Sequence, residues 1–275
     1  MIERLELASG GSVIALTPEI TYLQKPYWCH ATAQSLKLSL LGPRRHYSYD
    51  PAVEPQPCII FFCGGGFQKQ DRCVWLPELV YFAKHGYTVA TVDYSTFAFT
   101  EFPEQLTEAK SAIRFLRTHA GELNINPSRF AVMGESAGGQ IACWAAATGD
   151  DPAYRQGGDL DQSDAVQCCA AWYPVTHVNA FPKPDFLRIK MDDFPDTCQL
   201  VDENTPPFFL MHGTSDSQVP YTQSIRLHDQ LEACGVECQL LLLENADHSD
   251  PRFVLPEMQR RLLAFFDQHL GCPNA

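Results

Sequence analysis

The chain has 275 residues, of which 45% are hydrophobic, so it can bury a large core and is not expected to be disordered. Its 33 acidic residues outnumber its 20 lysine and arginine residues, and the formal charge of −13 disfavours binding to nucleic acid or to anionic lipid. No run of 18 apolar residues is present, so no membrane-spanning segment is expected.

The cysteines and the amino-terminal residues favour a cytoplasmic location. The 11 cysteines form no Cys-x-x-Cys pair and no zinc-like spacing with histidine, and several lie within apolar runs, as Cys58, Cys143 and Cys168 do. We therefore expect reduced, buried thiols rather than a disulfide framework or a metal site. Residues 1–6 are charged and contain no apolar core of signal-peptide length, so secretion is disfavoured.

In chain order, residues 13–41 come first, and their irregular pattern predicts one or two antiparallel strands at a sheet edge. From residue 58 onward, short apolar runs alternate with helical patterns. Strands are predicted at 58–62, 87–92, 129–133, 166–172, 208–211 and 239–243. Helices are predicted at 76–84, from Pro103 onward, and at 138–147, 221–233 and 255–270. This alternation indicates an α/β fold in a single domain over residues 1–275, with a mostly parallel sheet covered by helices on both faces.

Residues 174–207 interrupt the alternation. The segment contains six prolines and three phenylalanines, and it is longer than most connections inside a compact domain. It is either a small lid over the site or a surface excursion without function, and the sequence leaves both interpretations open.

The strongest functional signal is Gly134-Glu135-Ser136-Ala137-Gly138, which matches Gly-x-Ser-x-Gly and lies between a predicted strand and a predicted helix. On such a sharp turn the serine hydroxyl projects from the sheet edge, and glycines are needed where a Cβ atom would strike neighbouring backbone. The N–H of Ala137 faces the reaction centre from a helix amino terminus, where partial positive charge gathers. Ser136 is therefore the predicted nucleophile.

A serine hydroxyl becomes a good nucleophile when a base removes its proton. Among nine histidines, His248 follows the last predicted strand and would reach the same sheet edge as Ser136. His212 ends the preceding strand and is assigned a structural role. Asp216 is the predicted acid that orients the base, because it also follows a strand and gives the chain order serine, aspartate, histidine.

Four other carboxylates are weaker candidates for the acid. Asp247 is adjacent to the predicted base and would be poorly aimed at the same ring. Asp164 precedes a strand and would lie at the opposite edge of the sheet. Asp250 and Glu244 are further rivals near the base.

A second glycine-rich segment, Cys63-Gly64-Gly65-Gly66-Phe67, follows the first central strand. Glycines let backbone N–H groups approach a substrate oxygen, so this segment is a candidate oxyanion hole. A nucleotide-phosphate loop is disfavoured, because neither Gly-Lys-Ser/Thr nor the Gly-x-Gly-x-x-Gly spacing occurs here.

Together, Gly-Gly-Gly-Phe at 64–67 and Gly-Glu-Ser-Ala-Gly-Gly at 134–139 resemble the hormone-sensitive-lipase-like carboxylesterases and the acetyl and feruloyl esterase-like branch of the α/β hydrolases. The resemblance covers residues 58–270 and implies the α/β-hydrolase fold. It also implies three backbone N–H donors to the oxyanion, which are those of Gly65, Gly66 and Ala137.

The sequence departs from this family at three points. Cys63 stands where the family usually has a histidine, which mainly braces the loop. Asp93-Tyr94-Ser95-Thr96 replaces the usual Asp-Tyr-Arg-Leu after the second strand. No large amino-terminal helical cap is evident, which favours the compact esterase branch.

The sequence thus predicts a serine carboxylesterase that acts through an acyl-enzyme on small-molecule esters of short acyl chains, with acetylated sugars as the first candidates. Phe67, Trp172 and Tyr173 are predicted to line the substrate pocket. No metal or organic cofactor is expected. Two alternatives stay open: hydrolysis of amide, arylformamide or peptide bonds by the same residues, and a non-catalytic binding protein of the same fold. A homo-oligomer is also left open, since Phe265 and Phe266 would either pair subunits or pack on the sheet.

Overall fold

The computed structural model describes residue 4 and residues 13–27, 32–43, 54–68, 71–96, 101–180 and 193–271. Within these residues the strands form an eight-stranded sheet in the order β1-β2-β4-β3-β5-β6-β7-β8. The strands are β1 (Ile14–Tyr27), β2 (Thr32–Pro43), β3 (Gln56–Phe62), β4 (Thr88–Val92), β5 (Ile125–Glu135), β6 (Cys168–Trp172), β7 (Phe208–Gly213) and β8 (Cys238–Leu243). β2 pairs antiparallel with β1 and β4, and the remaining pairs are parallel. The predicted α/β fold with a mostly parallel sheet is confirmed.

Helices cover both faces of the sheet. They are α1 (Leu76–Lys84), α2 (Glu104–Thr118), α3 (Ala120–Leu123), α4 (Ser136–Thr148), α5 (Thr222–Ala233) and α6 (Pro256–Leu270). Side chains of α2, α4 and α5 pack in a first core on one face, and those of α1 and α6 pack in a second core on the other. Along β3, Ile60 and Phe62 belong to the first core, whereas Ile59 and Phe61 belong to the second. Burial on both faces explains why this strand is apolar at every position.

Several elements differ in extent from their predicted bounds. The 13–41 segment forms a long hairpin of 14 and 12 residues at the sheet edge, as the sequence suggested. β5 begins four residues before its predicted start, at Ile125, which pairs with Gln56 of β3. Helix α4 begins at Ser136 itself rather than at Gly138. In α6, Phe265 and Phe266 are buried in the second core. Of the two alternatives for these rings, the structure shows packing on the sheet.

The 174–207 segment is described at its two ends, and residues 181–192 lie outside the described residues. The ends are joined to each other, because the N–H of Thr197 donates to the carbonyl of Thr176 over 2.9 Å. They are also joined to α5, since Arg226 donates to Asp196 over 2.8 Å. The lid interpretation of the whole segment stays a prediction.

The carboxyl ends of four parallel strands bring the predicted site residues to one edge of the sheet. Phe62 of β3 pairs with Gly134 of β5, so the glycine-rich segment and the Ser136 turn start level with each other. Gly213 of β7 pairs with Leu243 of β8, so the next two loops also start level. Open α/β sheets place their binding sites at this edge. Across the described part of the chain, no helix combines the length and the apolar character needed to cross a bilayer.

Candidate active site

Ser136 lies on a tight turn between β5 and α4, with a left-handed φ of +52°. A non-glycine residue in this region is strained, and the surrounding contacts hold it there. A Cβ atom on Gly134 would collide with the carbonyl oxygen of Gly138, and one on Gly138 would collide with that of Phe62. The two glycines therefore let the turn and the first residues of α4 pack directly on β3, and the serine side chain is left facing the cleft.

His248 comes from the loop after β8 and contacts both of the other predicted residues. Its Nε2 lies 3.0 Å from Ser136 Oγ, and its Nδ1 lies 2.8 Å from Asp216 Oδ2. With Asp216 accepting from Nδ1–H, Nε2 is left free to accept the proton of the serine hydroxyl. The structure thus brings the three side chains into one continuous chain of hydrogen bonds, here called the relay.

Asp216 is fixed by donors from its own loop. Its side chain has no exposed surface. Oδ1 accepts from the N–H groups of Gln218 and Val219 over 2.9 and 2.7 Å, and Oδ2 lies 3.2 Å from Nε2 of His212. Burial acts to raise the pKa of this carboxyl, but the hydrogen bonds from His212, His248 and the loop backbone outweigh it and hold the pKa well below its usual range. Asp216 is therefore a carboxylate throughout the neutral range.

His212 has the structural role assigned from the sequence. It is fully buried at the end of β7, where Nδ1 lies 2.7 Å from the hydroxyl of Ser224 and Nε2 lies 2.9 Å from the carbonyl of Val219. Both ring nitrogens are occupied by these groups and by Asp216, so the ring holds the acid loop in place. Sequence position alone did not show that it touches Asp216.

The rival carboxylates are engaged elsewhere. Asp247 accepts from the N–H groups of Ser217 and His248, which ties two loops together beside the relay. Asp164 forms a fully buried cluster with Lys110 and Arg114. Asp250 pairs with Arg252, and Glu244 accepts from Thr214 over 3.3 Å. These contacts leave the position facing the ring of His248 to Asp216.

The glycine loop, defined as residues 63–67, follows β3 and lies beside the Ser136 turn. Gly65 and Gly66 have φ values of +134° and +61°, which only glycine adopts readily. No hydrogen bond joins the N–H of either glycine to another described residue. The N–H of Ala137 belongs to the first turn of α4, where backbone donors lack intrahelical partners. The three N–H groups predicted for the oxyanion are thus available to a ligand.

Glu135 is a site residue that the sequence analysis did not select. Its Oε1 accepts from the N–H of Gly64 and, over 3.2 Å, from the indole N–H of Trp75, and it lies 3.7 Å from Sγ of Cys63. Burial raises the pKa of the Glu135 carboxyl, although these donors and the positive potential of His248 oppose the rise. The only sequence signal was its place as the variable residue before the serine.

An open cleft of about 690 Å³ lies over these groups. Its wall contains Ser136, His248 and the three loop glycines. It also contains side chains that the sequence analysis did not select, namely Gln68, Asp71, Val74, Trp75, Glu135, Gln218 and Ser249. Gln218 and Ser249 follow the acid and the base closely in sequence, so adjacency was an available signal for them. Residues 71–75 carry no recognisable motif.

Comparison with known proteins places the chain in a family. Residues 47–231 match the BD-FAE family, which is more than half of the 275 residues. The chain belongs to the BD-FAE family. The match includes the glycine loop, the Ser136 turn and Asp216, while His248 lies beyond its end.

Individual relatives of this BD-FAE chain are distant. It is 27% identical over 173 residues to the probable carboxylic ester hydrolase LipM of Mycobacterium tuberculosis. The aligned residues cover 56% of this chain and 40% of LipM. It is 26% identical over 202 residues to the esterase LipC of the same organism, covering 67% of this chain and 50% of LipC. The chain therefore spans about half the length, or less, of these relatives. Among solved structures, a truncated carbohydrate esterase from gut microbiota has a TM-score of 0.78 at 18% identity, covering 95% of this chain and 98% of that one. This likeness confirms the α/β-hydrolase fold.

Two of the three predicted pocket aromatics belong to the core of this BD-FAE chain. Phe67 and Trp172 are each 1% exposed and do not line the cleft. Phe67 has a left-handed φ, and its ring packs in the first core 5.1 Å from that of Phe194. Trp172 ends β6 on the side of the second core, where its ring lies 5.3 Å from that of Trp75. Burial of apolar surface thus places these two rings beneath the cleft, and contact between them and substrate stays a prediction.

Tyr173, the third predicted pocket residue, is also fully buried and absent from the cleft wall. Its ring lies 4.5 Å from the imidazole of His248 and 4.8 Å from the ring of Phe253. The ring thus packs against the imidazole of His248, and contact between Tyr173 and substrate also stays a prediction.

Proposed function

We propose that this chain is a serine carboxylesterase that hydrolyses small-molecule esters of short acyl chains, acetylated sugars first among them. The observation that carries the proposal is the relay, in which His248 lies 3.0 Å from Ser136 Oγ and 2.8 Å from Asp216. Its place in the wall of an open cleft beside free backbone N–H groups is what acyl transfer requires. The names of LipM, LipC and the carbohydrate esterase, all ester hydrolases, support the reaction class.

The reaction follows from the geometry of the relay. His248 Nε2 takes the proton of Ser136 as Oγ attacks the ester carbonyl carbon, and the carbonyl oxygen becomes an oxyanion. The N–H groups of Gly65, Gly66 and Ala137 stabilise that charge. Collapse of the tetrahedral intermediate breaks the bond to the alcohol, which leaves with the proton from His248. A water molecule then gives a proton to His248 and attacks the carbonyl carbon of the acyl-enzyme. Breakdown of this second tetrahedral intermediate releases the acid, and His248 returns the proton to Ser136.

The short-acyl preference rests on the architecture around the cleft. The described residues before β3 form sheet strands rather than a helical cap, so they supply no large apolar roof for a long chain. The rings that could have lined a deep acyl tunnel, Phe67 and Trp172, are packed in the cores. The mechanism calls for no metal or organic cofactor. The unpaired cysteines within the described residues support a cytoplasmic location for the enzyme.

A fluorophosphonate probe tests the nucleophile. The expected result is one covalent adduct on Ser136 in the folded protein, which disappears in Ser136→Ala and after denaturation. Ser128→Ala is the matched control, because Ser128 is an exposed serine near the opposite end of the same strand, and it should be labelled like the wild type. No adduct on folded wild-type protein would overturn the serine-hydrolase proposal.

A series of p-nitrophenyl esters tests the substrate class. We expect kcat/KM to be highest between acetyl and butyryl and to fall for longer chains, with no turnover above background in Ser136→Ala. A maximum at octanoyl or beyond contradicts the short-acyl assignment. Faster hydrolysis of a matched anilide or arylformamide than of the ester would replace the esterase by an amide hydrolase that uses the same relay.

A further inference from the structure

The carboxylate of Glu135 and the glycine loop meet because their strands are neighbours in the sheet. β5 ends at Glu135 and β3 ends at Phe62, and the pairing of Phe62 with Gly134 sets the two ends side by side. Glu135 is 6% exposed, so its carboxylate lies under the loop rather than in solvent. A buried carboxylate needs hydrogen-bond donors, and the loop supplies them.

Three donors converge on the same oxygen of Glu135. The N–H of Gly64 donates to Oε1, the indole N–H of Trp75 donates to it over 3.2 Å, and the thiol of Cys63 lies 3.7 Å away. Two of the donors belong to the glycine loop, and the third comes from the residue just before α1. Oε1 is thus the point at which the loop is attached to the strand that carries Ser136.

Gly64 is shaped for this contact. A Cβ atom at this position would lie 2.5 Å from Oε1 and 2.6 Å from Oε2 of Glu135, so the carboxylate fills the space that any other side chain would need. The N–H of Gly64 donates its hydrogen bond to Glu135, whereas the N–H groups of Gly65 and Gly66 are not bonded to described residues. Because each peptide unit is planar, holding the Cys63–Gly64 peptide leaves the following residues only rotation about their own φ and ψ.

The loop has a second attachment on its other side. The hydroxyl of Tyr94, which follows β4, donates to the carbonyl of Cys63 over 2.6 Å. Burial raises the pKa of the Cys63 thiol to about 12, so it remains a neutral thiol and a weak donor to Glu135. Tyr94 and Glu135 thus bind the two polar groups of the same Cys63–Gly64 peptide, its carbonyl from the side of β4 and its N–H from the side of β5.

We propose that Glu135 is a positioning residue, whose Oε1 holds the glycine loop so that the N–H groups of Gly65 and Gly66 face the oxyanion. The kinetic part of this inference rests on the proposed esterase function. The acceptor oxygen, rather than the bulk of the side chain, performs the role. A variant that keeps the acceptor should therefore rescue what a variant without it loses.

Hydrogen–deuterium exchange of the intact chain tests the attachment without any substrate. Peptides covering residues 63–67 should exchange faster in Glu135→Ala than in the wild type, while Glu135→Gln, which keeps a carbonyl oxygen, should stay close to the wild type. Glu135→Leu removes the acceptor but fills the space, and it replaces the alanine variant if that protein does not fold. Equal protection of the loop in wild type and Glu135→Leu overturns the proposal, as does equal loosening in Glu135→Gln and Glu135→Leu.

Steady-state kinetics with an acetyl ester tests the consequence. Removing an oxyanion donor typically costs about 10²–10³ in turnover, so misplacing the loop is expected to lower kcat by roughly 10- to 100-fold in Glu135→Ala or Glu135→Leu. KM should change by less than about threefold, because the loop acts on the transition state. Trp75→Phe removes one of the three donors and leaves the Gly64 bond, so its loss of kcat should be smaller.

The two measurements separate the failure of each proposal. If wild-type protein hydrolyses no ester but Glu135→Leu loosens the loop selectively, the esterase assignment fails and the attachment stands. If the wild type is an active esterase while Glu135→Leu retains its kcat and its exchange pattern, the positioning role fails and the esterase stands.

Discussion

At the residue scale, the proposed chemistry depends on Asp216 remaining ionised next to His248. Its oxygens receive two backbone N–H groups and lie close to the rings of His212 and His248. These donors favour the charged form more than burial disfavours it. In the proposed reaction, the carboxylate therefore holds the imidazole in the tautomer whose Nε2 faces Ser136, and it stabilises the imidazolium that forms during attack.

Replacing this carboxylate should impair turnover far more than folding. In Asp216→Asn, we expect kcat for an acetyl ester to fall by about 10³–10⁴-fold, because the amide favours the wrong tautomer of His248. Asp247→Asn is the matched control: this exposed neighbour keeps its oxygen acceptor for the N–H groups of Ser217 and His248, and kcat should change little. Similar losses in both variants would mean that Asp216 does not orient the base.

The same substitution makes a prediction about stability and pH. The pKa of Asp216 is lower in the folded chain than in the unfolded chain, where it is about 3.9. The carboxylate thus stabilises the fold fully above about pH 5, and this contribution is lost as pH falls below about 4 toward the folded pKa. Urea unfolding should show a gap in unfolding free energy between wild type and Asp216→Asn that is widest near neutrality and narrows in acid. A gap that is constant with pH would contradict the assignment.

The relay was predictable from the sequence, whereas its supports were not. Ser136 carries a local motif, and Asp216 and His248 each follow a strand, so chain order and sheet topology sufficed to select them. Glu135 and Tyr173 act through contacts with loops that are distant in sequence, and only the strand order brings those loops together. Aromatic residues near a strand end gave no indication of which side of the sheet they face.

At the element scale, the site requires α4 to lie very close to β3. Gly138 is the contact, because a Cβ atom there would collide with the backbone of Phe62. In Gly138→Ala the helix or the strand must shift, which we expect to cost about 1–3 kcal/mol of unfolding free energy or more. The measurement is urea denaturation followed by circular dichroism.

Gly121→Ala is the control for this prediction. Gly121 lies in α3, and a Cβ atom there would meet nothing within 4 Å. Alanine is a better helix former than glycine, so this variant should be as stable as the wild type or up to about 1 kcal/mol more stable. If Gly138→Ala unfolded at the same urea concentration as Gly121→Ala, the close approach of α4 to β3 would not be a determinant of the fold.

The sequence located those helices and strands whose apolar residues follow a regular pattern. The inner strands β3, β4, β6 and β7 are buried on both faces, so each reads as an apolar run bounded by loops. The β1–β2 hairpin was indicated only loosely, because register shifts between Thr17 and Ile20 and between Thr21 and Leu23 break its two-residue alternation. Most of β1 is also exposed or half-buried, so the pattern of apolar residues does not show where the strand begins and ends.

At the scale of the whole molecule, the relay and a buried ion cluster lie at opposite ends of the parallel strands. The loops at the carboxyl ends of the strands carry the relay and the open cleft. The fully buried cluster of Lys110, Arg114 and Asp164 joins α2 to the loop that precedes β6, at the opposite end of the strand from the relay. Within the described residues, the buried Asp, Glu, Lys and Arg residues are Glu108, Lys110, Arg114, Glu135, Asp164 and Asp196. The other described charges reach solvent, where they contribute to the long-range field that an approaching substrate meets.

A formal charge of −13 predicts how ionic strength affects esters of different charge. The field of the chain attracts a cationic ester and repels an anionic one, and salt screens it over a Debye length of about 10 Å at 0.1 M. Raising the salt concentration should therefore lower kcat/KM for acetylcholine, raise it for a monosuccinate ester, and leave it nearly constant for a neutral acetate, with changes of up to about tenfold. The neutral ester controls for effects of salt on the relay itself. Identical salt dependence for the three esters would show that net charge does not steer substrates to this cleft.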